Sequence, residues 1–259
     1  MAEHVDSGSI LVIRPCSGLS GDMLLAGLAR MAEVSPEELS ALAMSLNMPA
    51  DSVKLEVKSV NSVNGWSCRV TLPEEHSHRT FADIRQLIEA MSMTPRARLL
   101  ALSAFTLLAT AEGQIHGVPI EDVTFHEVGA LDSILDTCLA CMLFDRLSPT
   151  ALICGPLPLC DGTVRCDHGL LPAPAPAVLS LLPGVLVRGI ASDGETVTPT
   201  AIALLKGFGA RFGPWPVMTV SRTALVYGAR LLPSVPNGAL FAFGQATSSA
   251  DRPSSTSSG

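Results

Sequence analysis

Five of the six histidines in this chain fall near turns or element ends: His76, His78, His116, His126 and His168. His76 and His78 lie two residues apart in a polar bridge with Glu74, Glu75 and Arg79. On an extended segment their imidazoles point the same way and can reach one borderline metal such as nickel, zinc or copper. The stretch also reads as a solvated acidic loop, since two ligands seldom hold a metal alone. His126 and Glu127 stand at the mouth of an expected helix, with Asp132 and Asp136 at i, i+4 spacing in its first turns. Carboxylates there also simply oppose the helix dipole, and His126, near Phe125 and Val128, equally suits a structural role. His168 and Gly169 precede LLPAPAPA, whose fixed φ angles make either a rigid pocket wall or a clamped surface loop.

Two glycine- and threonine-bearing loops offer a second chemistry, anion binding. The string SGLSGDM, Ser17 to Met23, follows a short apolar run and puts Gly18, Ser20, Gly21 and Asp22 just ahead of a helical stretch. Glu195, Thr196, Thr198 and Thr200 frame another helix start at Pro199. A helix start presents unbonded amides and the positive end of its dipole, so either loop suits a phosphate, although glycine turns before helices are common. No G-x-S-x-G elbow, phosphate loop or dinucleotide fingerprint is present. Cys138 and Cys141 have redox spacing but fall within an apolar helix, where cysteine behaves as a small hydrophobe.

The elements that must position these groups follow from pattern. Ile10–Ile13 reads as a strand and Met23–Met31 as a helix. Ser35-Pro36-Glu37-Glu38 is a capping box, Thr80 with Asp83 caps a helix to about Met91, and Thr94-Pro95 opens a longer one to Ile115 or His116. Val53–Val60 and Trp66–Leu72 read as a hairpin, Gly129–Leu147 as a helix, and Ala151–Leu159 as one buried strand. A turn is expected over 162–171, a helix from Pro199 to Gly207 or Gly209, and late strands over 217–227 and 239–243. The fold class expected is α/β: a mixed sheet with helices packed on it, a small β-hairpin region and a disordered, Ser-rich C-terminal tail. The boundaries expected are 1–246 for the domain and 247–259 for the tail.

Composition narrows the function classes. The 259 residues are 47% hydrophobic, 4% aromatic and 16% charged, with a net charge of −7, which disfavours a nucleic-acid surface. Mean hydropathy is +0.39. The longest apolar runs are nevertheless broken by Ser103, Thr106 and Thr110, or by Pro172, Pro174, Pro176 and Pro183, too short for a spanning helix. Seven scattered cysteines and no basic leader point to a reduced, cytoplasmic setting without a membrane partner.

Four blocks in order, SGLSGDM, HEVGALDSILD, PLPLCDGTVRCDHGLLPAPAPAV and ETVTPTAIALLK, resemble the nickel-insertion proteins of the LarC family, with weaker similarity from about Ile10 to Gly244. The resemblance implies a CTP-dependent nickel insertase, a cyclometallase of the lyase class. Such a protein inserts Ni(II) into pyridinium-3,5-bisthiocarboxylic acid mononucleotide, forming one carbon–nickel and two sulfur–nickel bonds. The product is the cofactor of lactate racemase-type enzymes. His76 and His78 occupy the place of the family's histidine-rich stretch, and His126, Glu127 and His168 fall on its other histidine blocks. They are the expected metal set; Gly18, Ser20, Gly21, Asp22, Glu195, Thr198 and Thr200 are the expected substrate and phosphate set. Two departures stand out. Arg14 replaces an acidic residue common in the family, exchanging a cation-favouring spot for an anion-favouring one. Family members also continue into a C-terminal half linked to CTP, and so to Mg(II). The expected partners are the mononucleotide, a separately encoded second half and an apo-enzyme acceptor. A nickel carrier without catalysis and an inactive paralogue are the alternatives.

Overall fold

The computed structural model describes residues 8–73, 79–125, 129–166, 169–192, 194–232 and 235–247. Along the chain lie β1 (Ser9–Pro15), α1 (Gly21–Met31), α2 (Pro36–Ser45), β2 (Val53–Val60), β3 (Val63–Val70), β4 (Arg79–Thr80), α3 (Phe81–Ala90), α4 (Pro95–His116), β5 (Thr124–Phe125) and α5 (Leu131–Leu147). There follow β6 (Ala151–Cys154), β7 (Leu157–Cys160), β8 (Thr163–Cys166), β9 (Gly169–Pro172), α6 (Pro176–Leu181), β10 (Val187–Ile190), α7 (Pro199–Gly207), β11 (Arg211–Phe212), β12 (Met218–Val226) and β13 (Ala239–Ala246).

The helix starts follow the caps written in the sequence. Ser35 and Glu38 exchange side-chain and backbone bonds at 3.2 and 3.0 Å, and Thr80 and Asp83 do the same at 3.1 and 2.9 Å. At α4 the Ala97 N–H donates to Thr94 Oγ1 at 3.1 Å, and that hydroxyl donates on to Asp145 at 2.5 Å, tying α4 to α5. Each such cap satisfies amides the helix leaves unbonded.

Seven strands form one mixed sheet in the order β11-β6-β1-β13-β12-β3-β2. β11, β6 and β1 run parallel, β13 runs against both β1 and β12, and the β2–β3 hairpin joins β12 through Val226 and Trp66. Side chains alternate across β1. Leu11 and Ile13 enter the main core with the helices, while Ile10 and Val12 join a second cluster with Ala151 and Ala242 on the opposite face. α1 lies on the sheet against β3, β12 and β13 and against α5; α4 joins α3, α5, α6 and α7. Gly27 permits the close seating of α1, because a Cβ there would enter the Phe241 ring.

Four local expectations change. The turn at Asn61–Gly65 contracts to Asn61 and Ser62, both left-handed at φ 51° and 63°, a two-residue hairpin loop that brings Val63 opposite Val60. The single strand over Ala151–Leu159 is two. Gly155 N–H still bonds Ile13 O at 2.8 Å, but from Pro156 the chain leaves the large sheet, and β7 pairs with β10, a strand absent from the sequence expectation. Residues 162–171, expected as a turn, contain the antiparallel pair β8–β9. The proline ladder is not a continuous wall: Pro172 ends β9 and Pro176 is the first residue of α6, which its ring suits.

Candidate functional site

The loops that open α1 and α7, far apart in sequence, are joined to one another. Leu19 N–H donates to Thr196 O at 2.9 Å, Thr198 N–H donates to Leu19 O at 3.1 Å, and Leu19 and Val197 form a parallel bridge. Gly18 makes this possible, since a Cβ would collide with Thr196 O. The stitched loops border a cavity of about 270 Å³. Of the residues expected to bind an anion, Gly18, Ser20, Asp22, Glu195 and Thr198 line it. Gly21 and Thr200 face each other between the helices, with Thr200 Cγ2 3.4 Å from where a Gly21 Cβ would stand.

A third segment closes the cavity. The connection between β12 and β13 contributes Gly228, Ala229, Arg230, Leu232, Asn237 and Gly238. These are the functional candidates missed in the sequence; the polar break Gly228-Ala229-Arg230 between two apolar strands is the cue that marks them. The segment is pinned to the site, because Ala229 N–H donates to Asp22 Oδ2 at 3.1 Å and Lys58 Nζ donates to Gly228 O at 2.7 Å. Asp22 also accepts from Met23 N–H at 2.9 Å and from the Ser20 hydroxyl. Asp22 thus partly answers the dipole of α1, while Thr198 caps α7 by accepting from Ala201 N–H at 3.3 Å. The lining combines two carboxylates, Asp22 and Glu195, with Arg230, whose guanidinium is of the type that binds a phosphate bidentately.

Where α1 meets α5, Asp136 feels the charges of Asp22 and Asp132. Burial, then the charges of Asp22 and Asp132, push the Asp136 carboxyl well above its ordinary value, and its Oδ1 has no hydrogen-bond partner among the described residues. Burial likewise raises the Cys68 thiol, helped by Asp136 and Asp22. Cys138 is pushed up to about 12 by burial and Cys141 is raised as well, so both are protonated core residues.

The expected metal residues His76, His78, His126, Glu127 and His168 lie outside the described residues. Among the described residues no group of three His, Cys, Asp or Glu is arranged to hold a metal ion, and no helix is long and apolar enough to cross a membrane. Arg14 does not line the cavity. Its Nη1 donates to Gly213 O at 2.7 Å, and its guanidinium fills the space that a Cβ on Gly155 would take.

Comparison with known proteins gives this arrangement a family. Residues 11–255 match the family described as nickel insertion protein. A relative from Myxococcus xanthus named for nickel insertion is 39% identical over 231 residues, covering 88% of this chain and 58% of the relative. A relative of the same description from Citrifermentans bemidjiense is 38% identical over 237 residues, 89% of this chain and 60% of its own length. One from Thermomicrobium roseum is 40% identical over 229 residues, 80% of this chain and 56% of its own. The chain therefore spans less than two thirds of the length of these relatives. No solved structure matches it. Because the family match runs through both cavity loops and all seven strands of the large sheet, the chain belongs to the nickel insertion protein family.

Proposed function

We propose that this chain takes part in nickel insertion by holding an anionic mononucleotide in the cavity between α1 and α7 while its histidine-bearing segments hold Ni(II) as the metal to be inserted. The observation that carries this reading is the joining of the two anion-suited loops through Leu19, Thr196 and Thr198 into one cavity lined by Asp22, Glu195 and Arg230. The substrate that the family resemblance implies, pyridinium-3,5-bisthiocarboxylic acid mononucleotide, carries a phosphate suited to Arg230 and the helix amides. Its softer sulfurs can take nickel from imidazole and carboxylate donors such as His76, His78, His126, Glu127 and His168. CTP and Mg(II) belong, on this reading, to the length of the relatives that the chain does not span, and an apo-enzyme would accept the product. That unspanned length also favours a second reading, a nickel-holding module that delivers metal to a partner.

Calorimetric titration of the whole chain tests the assignment. His76→Ala with His78→Ala reduces the nickel stoichiometry, and Arg230→Ala weakens mononucleotide binding without changing the nickel titration. Undiminished nickel in the double variant refutes the histidine assignment, and undiminished mononucleotide binding refutes the cavity. Incubation with nickel, CTP and mononucleotide separates the two readings, since cofactor formed without any partner eliminates the delivery module.

A further inference from the structure

The face of the large sheet turned away from the helices is apolar and only partly covered. β11 and β12 run in the same direction but lie at positions one and five of the sheet, so the five residues between them, Gly213-Pro214-Trp215-Pro216-Val217, must cross back over several strands. Bonds at both ends fix this strap. Gly213 N–H donates to Cys154 O at 2.9 Å and Gly213 O accepts from Arg14, whose position on β1 shares the face of Ile10 and Val12. At the other end Val217 O accepts from Thr247 N–H at 3.4 Å and from its hydroxyl at 3.2 Å. Ile10 and Val12 are buried, yet Trp215 (45% exposed), Val217 (67%), Val220 (44%) and Leu240 (42%) remain open. Register places Leu240 and Val220 on this same face, Leu240 beside Arg14 and Val220 opposite Gly244.

An apolar sheet face normally buries against another layer, and contiguous open apolar surface marks a contact site. Residues 1–7 offer only Met1, Ala2 and Val5 as apolar side chains, and 248–259 no apolar side chain larger than Ala250 and Pro253. The relatives carry further length, since this chain matches only 58% of the Myxococcus xanthus protein and 60% of the Citrifermentans bemidjiense one. We infer that the strap-bearing face, with Trp215, Val217, Val220 and Leu240 at its centre, is the docking surface for the portion of the relatives' length that this chain does not span. In the relatives the contact is made within one chain. The inference rests on family membership and the sheet's geometry, and it does not need the nickel reading.

Hydroxyl-radical footprinting of this 259-residue chain and of the full-length Myxococcus xanthus relative tests it. In this chain Trp215, Val217, Val220 and Leu240 label strongly, as does Leu99, which lies on α4 in the helix layer and serves as reference. In the relative, the positions aligned with the four are protected at least about fivefold, the ratio of these exposures (42% and above) to the 9% of the most exposed buried core residues, while the Leu99 counterpart labels equally. Glutamate at the relative's counterpart of Val217 restores labelling of the other three. Val217 lies in the strap, outside the strands, so this variant spares the sheet ladder. Equal labelling of the face in both proteins overturns the inference. So does protection in this chain alone with sedimentation as a dimer that Val217→Glu dissociates, which assigns the face to a second copy. Nickel titrations of the same samples report on the metal reading separately.

Discussion

Gly18→Ala puts the cavity to a direct physical test. The methyl group would overlap the Thr196 carbonyl oxygen, a backbone atom that cannot rotate aside, so the loops must part. Parting them strains or breaks Leu19 N–H to Thr196 O (2.9 Å) and Thr198 N–H to Leu19 O (3.1 Å), beside a Leu19 side chain that is fully buried. Two hydrogen bonds at about 1 kcal/mol net each, plus about 1–2 kcal/mol of overpacking, give a loss of about 3–4 kcal/mol. For a domain of this size that lowers Tm by about 6–16 °C. Differential scanning calorimetry measures the shift, and mononucleotide titration of the folded variant below its Tm measures the second consequence, weaker binding. Gly117→Ala is the control. Gly117 has φ +67° with nothing near the place of a Cβ, so it incurs only the left-handed backbone cost of about 1–2 kcal/mol and leaves binding unchanged. If Gly18→Ala melts no lower than Gly117→Ala and binds as the parent does, the stitched loops do not form the site.

Three further outcomes follow from particular residues. Asp136 is raised in the folded state, so its contribution to stability is present in full below the unfolded carboxylate value of about 3.9 and is lost as pH rises through the folded value. Asp136→Leu removes that slope and adds about 1–3 kcal/mol at neutral pH by deleting an unpaired buried oxygen; urea unfolding from acid to neutral pH checks both, and an unchanged slope refutes the assignment. Thr94→Ala loses the cap on α4 and its link to Asp145, costing about 1–2 kcal/mol by thermal denaturation, with Thr94→Ser retaining most of the stability. Cys138 and Cys141, both buried and protonated, stay unreactive toward a thiol reagent in the native protein and react only on unfolding.

The sequence alone determined whatever depends on neighbours along the chain. Capping residues, helix-opening prolines and alternation of side chains mark Ser35, Thr80, Thr94 and Pro199, the β2–β3 hairpin and the two anion-suited loops, because those signals act within a few residues. The four blocks also carried the family. Tertiary structure alone decided which segments meet. Nothing local to Gly18 says that its missing side chain admits Thr196, or that Ala229 donates to Asp22 at the cavity. The two-residue loop at Asn61 and the split of 151–159 into strands of two different sheets depend on register and on pairing partners, which no short window contains. The strap from Gly213 to Val217 exists only because β11 and β12 take distant places in one sheet. Propensity and capping are short-range terms, whereas cavities, sheet order and the burial of Asp136 arise from contacts between residues remote in sequence.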